Sequence, residues 1–224
     1  MDMSDKLKAR GGGLKSKPIP PGRVKIADAL RHLLEQKEFN AITTAEISKR
    51  AGVTEALIYK YFKDKRDMLH QVLSEYLEQY CVLVQGDLKG IKGALKKLRK
   101  LIWSHINVYA TSRVFAKILL IEARSHNDYY HSDTYELVKV YSDVILEILE
   151  EGILNREIRD DLPVKLIRQV ILGSIEQVCL TGITFDRAID PDALTEDICE
   201  IIFNGIRPGA IDYQAVGANN QYHK

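Results

Sequence analysis

Cysteine is scarce in this chain of 224 residues: Cys81, Cys179 and Cys199 are odd in number, widely spaced and set in apolar helical sequence. Such a set excludes a disulfide framework and fits buried, reduced thiols. Metal-ligand spacing is also missing. His126 and His131, with Asp128 and Asp133 beside them, match no familiar ligand pattern, and surface-loop polarity accounts for them. No nucleophile with a base and no paired acids stand out, so the sequence reads as neither an enzyme nor a cofactor protein. No segment offers eighteen uninterrupted apolar residues, and no apolar stretch follows the basic amino terminus. These absences argue against a membrane span and a signal peptide, and for a cytoplasmic protein. Alternating strand patterns are lacking as well, which leaves an all-α fold.

Charge is present but unevenly placed. The net charge is +1, yet residues 1–70 hold 15 Lys+Arg against 9 Asp+Glu, and the remainder holds 17 against 22. A basic amino-terminal third joined to an acidic body is the electrostatic footprint of a protein that meets phosphate at one end. Residues 1–21 form a basic arm with three consecutive glycines, three prolines and almost nothing apolar to bury, so it is expected to be disordered or extended. Lys15, Lys17, Arg23 and Lys25 would let this region follow a phosphate backbone.

Residues 43–65, TTAEISKRAGVTEALIYKYFKDK, carry the most specific pattern. Thr43 with Glu46 is a T-x-x-E capping box, which predicts a helix from Thr44. Gly52 suits the left-handed conformation that ends it, and Thr54 is a second N-cap. Leu57, Ile58, Tyr61 and Phe62 recur at the spacings that hold a second short helix against the first. Two capped helices across so short a turn are a helix-turn-helix. Thr54, Glu55, Ala56, Tyr59 and Lys60 cannot all be core, and they lie where a major-groove recognition helix needs exposed chemistry.

Asp64 is expected to cap a long helix from Lys65, with Met68, Leu69, Val72, Leu73, Tyr76 and Tyr80 on one stripe and a break at Gly86 to Gly90. The next helix places Leu88, Ile91, Leu95, Leu98 and Ile102 on a stripe that continues through His105 and Tyr109. Further helices are expected at Arg113 to Ser125 and about Asp128 to Glu151. A small-molecule pocket needs apolar walls with a few placed polar groups. Trp103, His105, Ile106, Tyr109, Phe115, Ile118, Leu119, Glu122, Tyr141 and Ile145 supply that mixture, suited to an acyl or aromatic effector. An ordinary helical core would explain the same residues.

The last two helices begin after Leu162-Pro163 and near Asp190-Pro191. The first is apolar on nearly all sides, and the second lines up Leu194, Ile198, Ile201, Ile202 and Ile206. On a monomer they would leave a large apolar patch, so a homodimer through both is expected.

Residues 23–65, with the AGV turn, the I-Y-x-Y-F run at Ile58 to Phe62 and Lys65 three residues beyond, resemble the DNA-binding domain of the TetR family of bacterial transcriptional regulators. The resemblance implies that Thr43 and Thr44 touch phosphate or groove. Thr54, Glu55, Ala56, Tyr59, Lys60 and Tyr61 would face double-stranded operator DNA, and Lys65 would meet a backbone phosphate. Two positions depart from the common pattern. Glu55 is unfavourable near phosphate unless it accepts from a cytosine amino group or pairs with Arg23 or Lys60, and Leu57 is suited to a thymine methyl or to packing. The expected organisation is a helix-turn-helix domain at residues 22–67, a ligand-binding and dimerisation domain at 68–206, and a tail at 207–224. The expected mechanism is a dimeric repressor released from a palindromic operator by a small effector, with the helix from Lys65 as connector. A DNA-bound structural or cell-division factor of the same fold is the alternative.

Overall fold

The structure, a computed structural model, describes residues 19–209. Most of the basic arm, with Lys15 and Lys17, and the tail from 210 lie outside the described residues. The α-helices are α1 (Pro21–Leu34), α2 (Thr44–Ala51), α3 (Glu55–Tyr61), α4 (Lys65–Leu88), α5 (Ala94–Thr111), α6 (Arg113–Lys117), α7 (Asp133–Leu154), α8 (Val164–Phe185) and α9 (Pro191–Ile206). The described residues form two compact units, 19–86 with 111–142 and 87–110 with 143–209. The boundary expected between residues 67 and 68 falls inside continuous α4.

In the first unit, Pro21 starts α1 where its missing N–H costs nothing. Ile26, Ala27, Ala29, Leu30 and Leu33 then bury one face of α1 against Ile42, Ile47, Ile58, Phe62, Met68 and Val72. Each large side chain buried here contributes roughly 2 kcal/mol. Gly22 allows close approach: a Cβ at that position would stand 3.0 Å from Leu57 Cδ2. The capping box is present as expected, with Glu46 N–H donating to Thr43 Oγ1 at 3.2 Å and Thr43 N–H donating to Glu46 Oε2 at 2.9 Å. Gly52 ends α2 at φ 65°, and Thr54 caps α3. Asp64 Oδ1 accepts from the N–H groups of Arg66 and Asp67 at the start of α4.

Three expected elements differ. α4 runs through Gly86 to Leu88, and the break comes where Gly90 and Gly93 take φ of 84° and 93°. Leu88 therefore closes α4, while Ile91 lies in the connection. The helix expected from Arg113 to Ser125 is the short α6 followed by a π-helical turn at Ile118–Ala123. A 3₁₀ turn at Asn127–His131 precedes α7, so that helix starts at Asp133.

In the second unit, Leu98, Leu101, Ile102, Ile106 and Tyr109 of α5 are buried, as are Ile145, Ile148 and Leu149 of α7. Lys97 pairs with Glu151 at 2.6 Å. α8 buries Ile167, Ile171, Ile175, Cys179 and Ile183, and Gly182 accommodates Ile189 in the turn beyond. α9 buries Ile198, Ile202 and Ile206 but leaves Ile201 76 % exposed, contrary to its expected place on the same face.

Candidate nucleic-acid interface and effector site

The exposed side of the helix-turn-helix is built by its own caps. Thr43, Thr54, Glu55, Ala56, Tyr59 and Lys60 are all solvent-exposed, and Tyr59 keeps 56 % of its surface free. Lys49, Arg50 and Lys63 are also exposed at the flanks of α2 and α3. The family pattern does not single them out, although their charge in the sequence was a signal for them.

Two expected contacts, Tyr61 and Lys65, also pack or bond within the protein. Tyr61 and Leu57 are partly buried and pack on the core of this head. Lys65 donates from Nζ to the carbonyl oxygens of Phe39 at 2.9 Å and Ile42 at 2.7 Å, with its ammonium 4.4 Å from the Phe39 ring centroid. Partial burial, and then Arg66, push its pKa down, while Glu122 favours its charged form. Lys65 therefore staples the 3₁₀ turn at Phe39–Ala41 to the start of α4.

Arg23 is likewise engaged within the protein. Its guanidinium donates to Glu75 Oε1 at 2.7 Å and Gln71 Oε1 at 2.8 Å, and Arg31 reaches Glu75 Oε2 at 2.8 Å. α1 is thus tied to α4 by one carboxylate. The partner of Glu55 is neither Arg23 nor Lys60 but Thr44, whose Oγ1 donates to Glu55 Oε2 at 2.7 Å. Glu46 has its pKa pushed down to about 2 by its bond to Lys37 and by the Thr43 backbone and hydroxyl.

The expected effector residues divide between the two units. Phe115, Ile118, Leu119 and Tyr141 are buried in the first, with Glu122 half-buried on the π turn. Phe115 stacks on Tyr76 at 3.9 Å between centroids, and the Tyr141 ring lies 5.3 Å from that of Tyr80. Burial raises the Tyr141 pKa well above the usual phenol range. His105, Ile106, Tyr109 and Ile145 are buried in the second unit, where His105 and Tyr109 meet edge to face at 4.7 Å. Trp103 is half-buried, donates from Nε1 to Asp192 at 2.7 Å, carries Lys100 over its ring and borders a groove of about 300 Å³ between α5 and α9.

A larger cleft of about 730 Å³ lies in the first unit and is lined by polar residues that include Arg23, Asp67, His70, Glu75 and Asp128. No expected apolar effector residue borders it. Beside it, Thr134 is fully buried and joins α7 to α4 by donating to the His70 carbonyl at 3.1 Å, with His70 Nδ1 and Ser74 Oγ each 3.2 Å from its hydroxyl. The cysteines are buried, and burial pushes the thiols up to about 12 at Cys81 and about 11 at Cys179 and Cys199. Such thiols are poor nucleophiles.

A capped helix-turn-helix with an exposed recognition helix, carried on an all-helical body with an aromatic interior, defines a ligand-responsive DNA-binding regulator of transcription. Residues 26–72 match the profile of the bacterial regulatory proteins of the tetR family, and residues 73–205 match that of the YsiA-like protein C-terminal region. The chain belongs to the TetR family. It is 31 % identical to the fatty acid metabolism regulator protein of Bacillus subtilis (strain 168), over 83 % of this chain and 96 % of that protein. The crystal structure of the B. subtilis regulator FadR in complex with stearoyl-CoA superposes with a TM-score of 0.74 at 30 % identity, covering 82 % of this chain and 99 % of that one. A nucleoid occlusion factor, SlmA of Marinobacter nauticus, is 33 % identical over only 37 % of this chain and 44 % of its own length. As a member of the family, the protein binds operator DNA and a small-molecule effector and forms a homodimer.

Proposed function

We propose that this protein is a repressor that holds a palindromic operator and releases it on binding a long-chain fatty acyl thioester. The observation that carries the reading is the similarity to the B. subtilis fatty acid regulator over 83 % of this chain and 96 % of that one, body included. The apolar residues Phe115, Ile118 and Leu119 of the first unit and Ile106 and Ile145 of the second suit an acyl chain chemically. The DNA face is Thr43, Thr54, Ala56, Tyr59 and Lys60, with Glu55 in a role considered below. The protein acts in the cytoplasm by binding rather than by catalysis.

Coupling follows from linkage: an effector that prefers one arrangement of the heads weakens DNA, and DNA weakens the effector by the same factor. α4 is the natural connector, because this single helix starts at the Lys65 staple and continues through the His70, Ser74 and Thr134 contacts. The rival reading, a DNA-bound cell-division factor, draws on a likeness confined to part of the chain. The test is fluorescence anisotropy on an operator selected from random duplexes, with stearoyl-CoA, stearate and free coenzyme A titrated separately. Stearoyl-CoA should weaken DNA binding by roughly tenfold or more. Operator affinity indifferent to acyl thioesters of every chain length would sink the proposal.

A further inference from the structure

Glu55 is the misplaced charge of this surface. It is the first residue of α3, is exposed, and stands among the exposed residues Thr54, Ala56, Tyr59 and Lys60. Among the described residues no cation forms an ion pair with it: Arg23 is committed to Glu75 and Gln71, and Lys60 does not reach it. A bare carboxylate brought against DNA opposes every phosphate, so for general DNA affinity this residue is a defect. It is nonetheless held in place. The Thr44 hydroxyl donates to Oε2 at 2.7 Å from across the turn, and Oε1 has no hydrogen-bond partner among the described residues.

A carboxylate can only accept. Of the base edges in the major groove, guanine offers acceptors and thymine an acceptor and a methyl group, both of which repel or ignore it. Adenine sets its N7 acceptor beside its amino donor, an arrangement that an amide satisfies and a carboxylate does not. Cytosine presents its N4 amino group as a donor with no acceptor of its own beside it. We propose that Glu55 reads a cytosine in each operator half-site, accepting from the N4 amino group through the oxygen that Thr44 leaves open, and rejects other bases at that position. Thr44 is then a positioning residue. Its hydroxyl proton is spent on Glu55, so it does not serve a phosphate in the way the family resemblance implies. The inference rests on the reading of this face as the DNA-contacting surface.

The experiment selects duplexes from a random pool with the full-length dimer, wild type and variants, and then titrates single-base changes by anisotropy. Wild type should select a symmetric operator with one C·G position per half-site that Glu55→Ala selects without preference, discrimination there falling about tenfold. Glu55→Gln, which keeps an acceptor for Thr44, should shift that position towards adenine. Thr44→Val should blunt the cytosine preference without abolishing it. On non-cognate duplex, Glu55→Ala should bind more tightly than wild type and with a steeper salt dependence. Identical base profiles for wild type, Glu55→Ala and Glu55→Gln would overturn the inference while leaving the DNA face intact. Failure of the wild type to select any duplex would overturn the reading of the face, and the inference with it.

Discussion

Lys60 and Lys65 are near neighbours with the same charge, but their surroundings assign them different tasks. Lys60 stands in solvent on the recognition helix, whereas Lys65 closes two backbone carbonyls of the loop before α2. Lys65→Ala should therefore lower the stability of the protein by about 1–3 kcal/mol, because a donor is removed from acceptors already partly withdrawn from water. Lys60→Ala should leave stability within about 0.5 kcal/mol and instead weaken DNA binding, reducing the salt slope by about one. Urea unfolding and anisotropy at several salt concentrations check the pair. If Lys65→Ala proved as stable as wild type but poor at binding DNA, the ammonium would have to leave the carbonyls for phosphate in the complex. The caps at Thr43, Gly52, Thr54 and Asp64 were legible because each works on residues within a few positions of itself. The staple was not, since its partners stand 26 and 23 positions away and nothing in local sequence announces them. Arg23 is the same case: its carboxylate is 52 residues distant.

At the scale of the element, glycine separates what periodicity can predict from what it cannot. A break was expected over Gly86 to Gly90; Gly86 itself stays helical, since an isolated glycine costs a helix only about 1 kcal/mol. The helix ends at Leu88 within that segment, and the chain turns at Gly90 and again at Gly93, whose positive φ other residues rarely adopt. The π turn at Ile118–Ala123 was hidden for a related reason, because an extra residue per turn shifts the phase of every apolar position after it. Two of the helical glycines, Gly86 and Gly182, make opposite predictions. Nothing lies within 4 Å of a Cβ at Gly86, so Gly86→Ala should stabilise by about 0.5–1 kcal/mol. At Gly182 a Cβ would collide with Ile189, whose side chain is seated against α8, so Gly182→Ala should destabilise by about 1–3 kcal/mol. Thermal unfolding of both variants decides the matter. A Gly182→Ala protein as stable as wild type would mean that Ile189 and its turn move aside freely.

For the whole molecule, the surface left apolar on the body indicates how one weak reading head becomes a repressor. Leu166, Val170, Val178 and Phe185 of α8 and Ile201 of α9 are between 41 % and 76 % exposed in a single chain. α8 is long and apolar enough by composition to cross a membrane, but its buried residues include Ile171, Ile175 and Cys179, which face a protein core on one side. A twofold partner that covers the other side would bury these residues and hold two heads for two half-sites. Linking the heads in this way raises the second binding event to an effective concentration in the millimolar range. Replacing Val170 or Ile201 with Glu places a charge where that partner must seat, while each site remains open to water in the single chain. Both variants should sediment as monomers, keep the helical circular dichroism of the wild type, and lose operator affinity by roughly a hundredfold or more, with binding to a single half-site little changed. Variants that remained dimeric with intact operator affinity would move the interface away from α8 and α9.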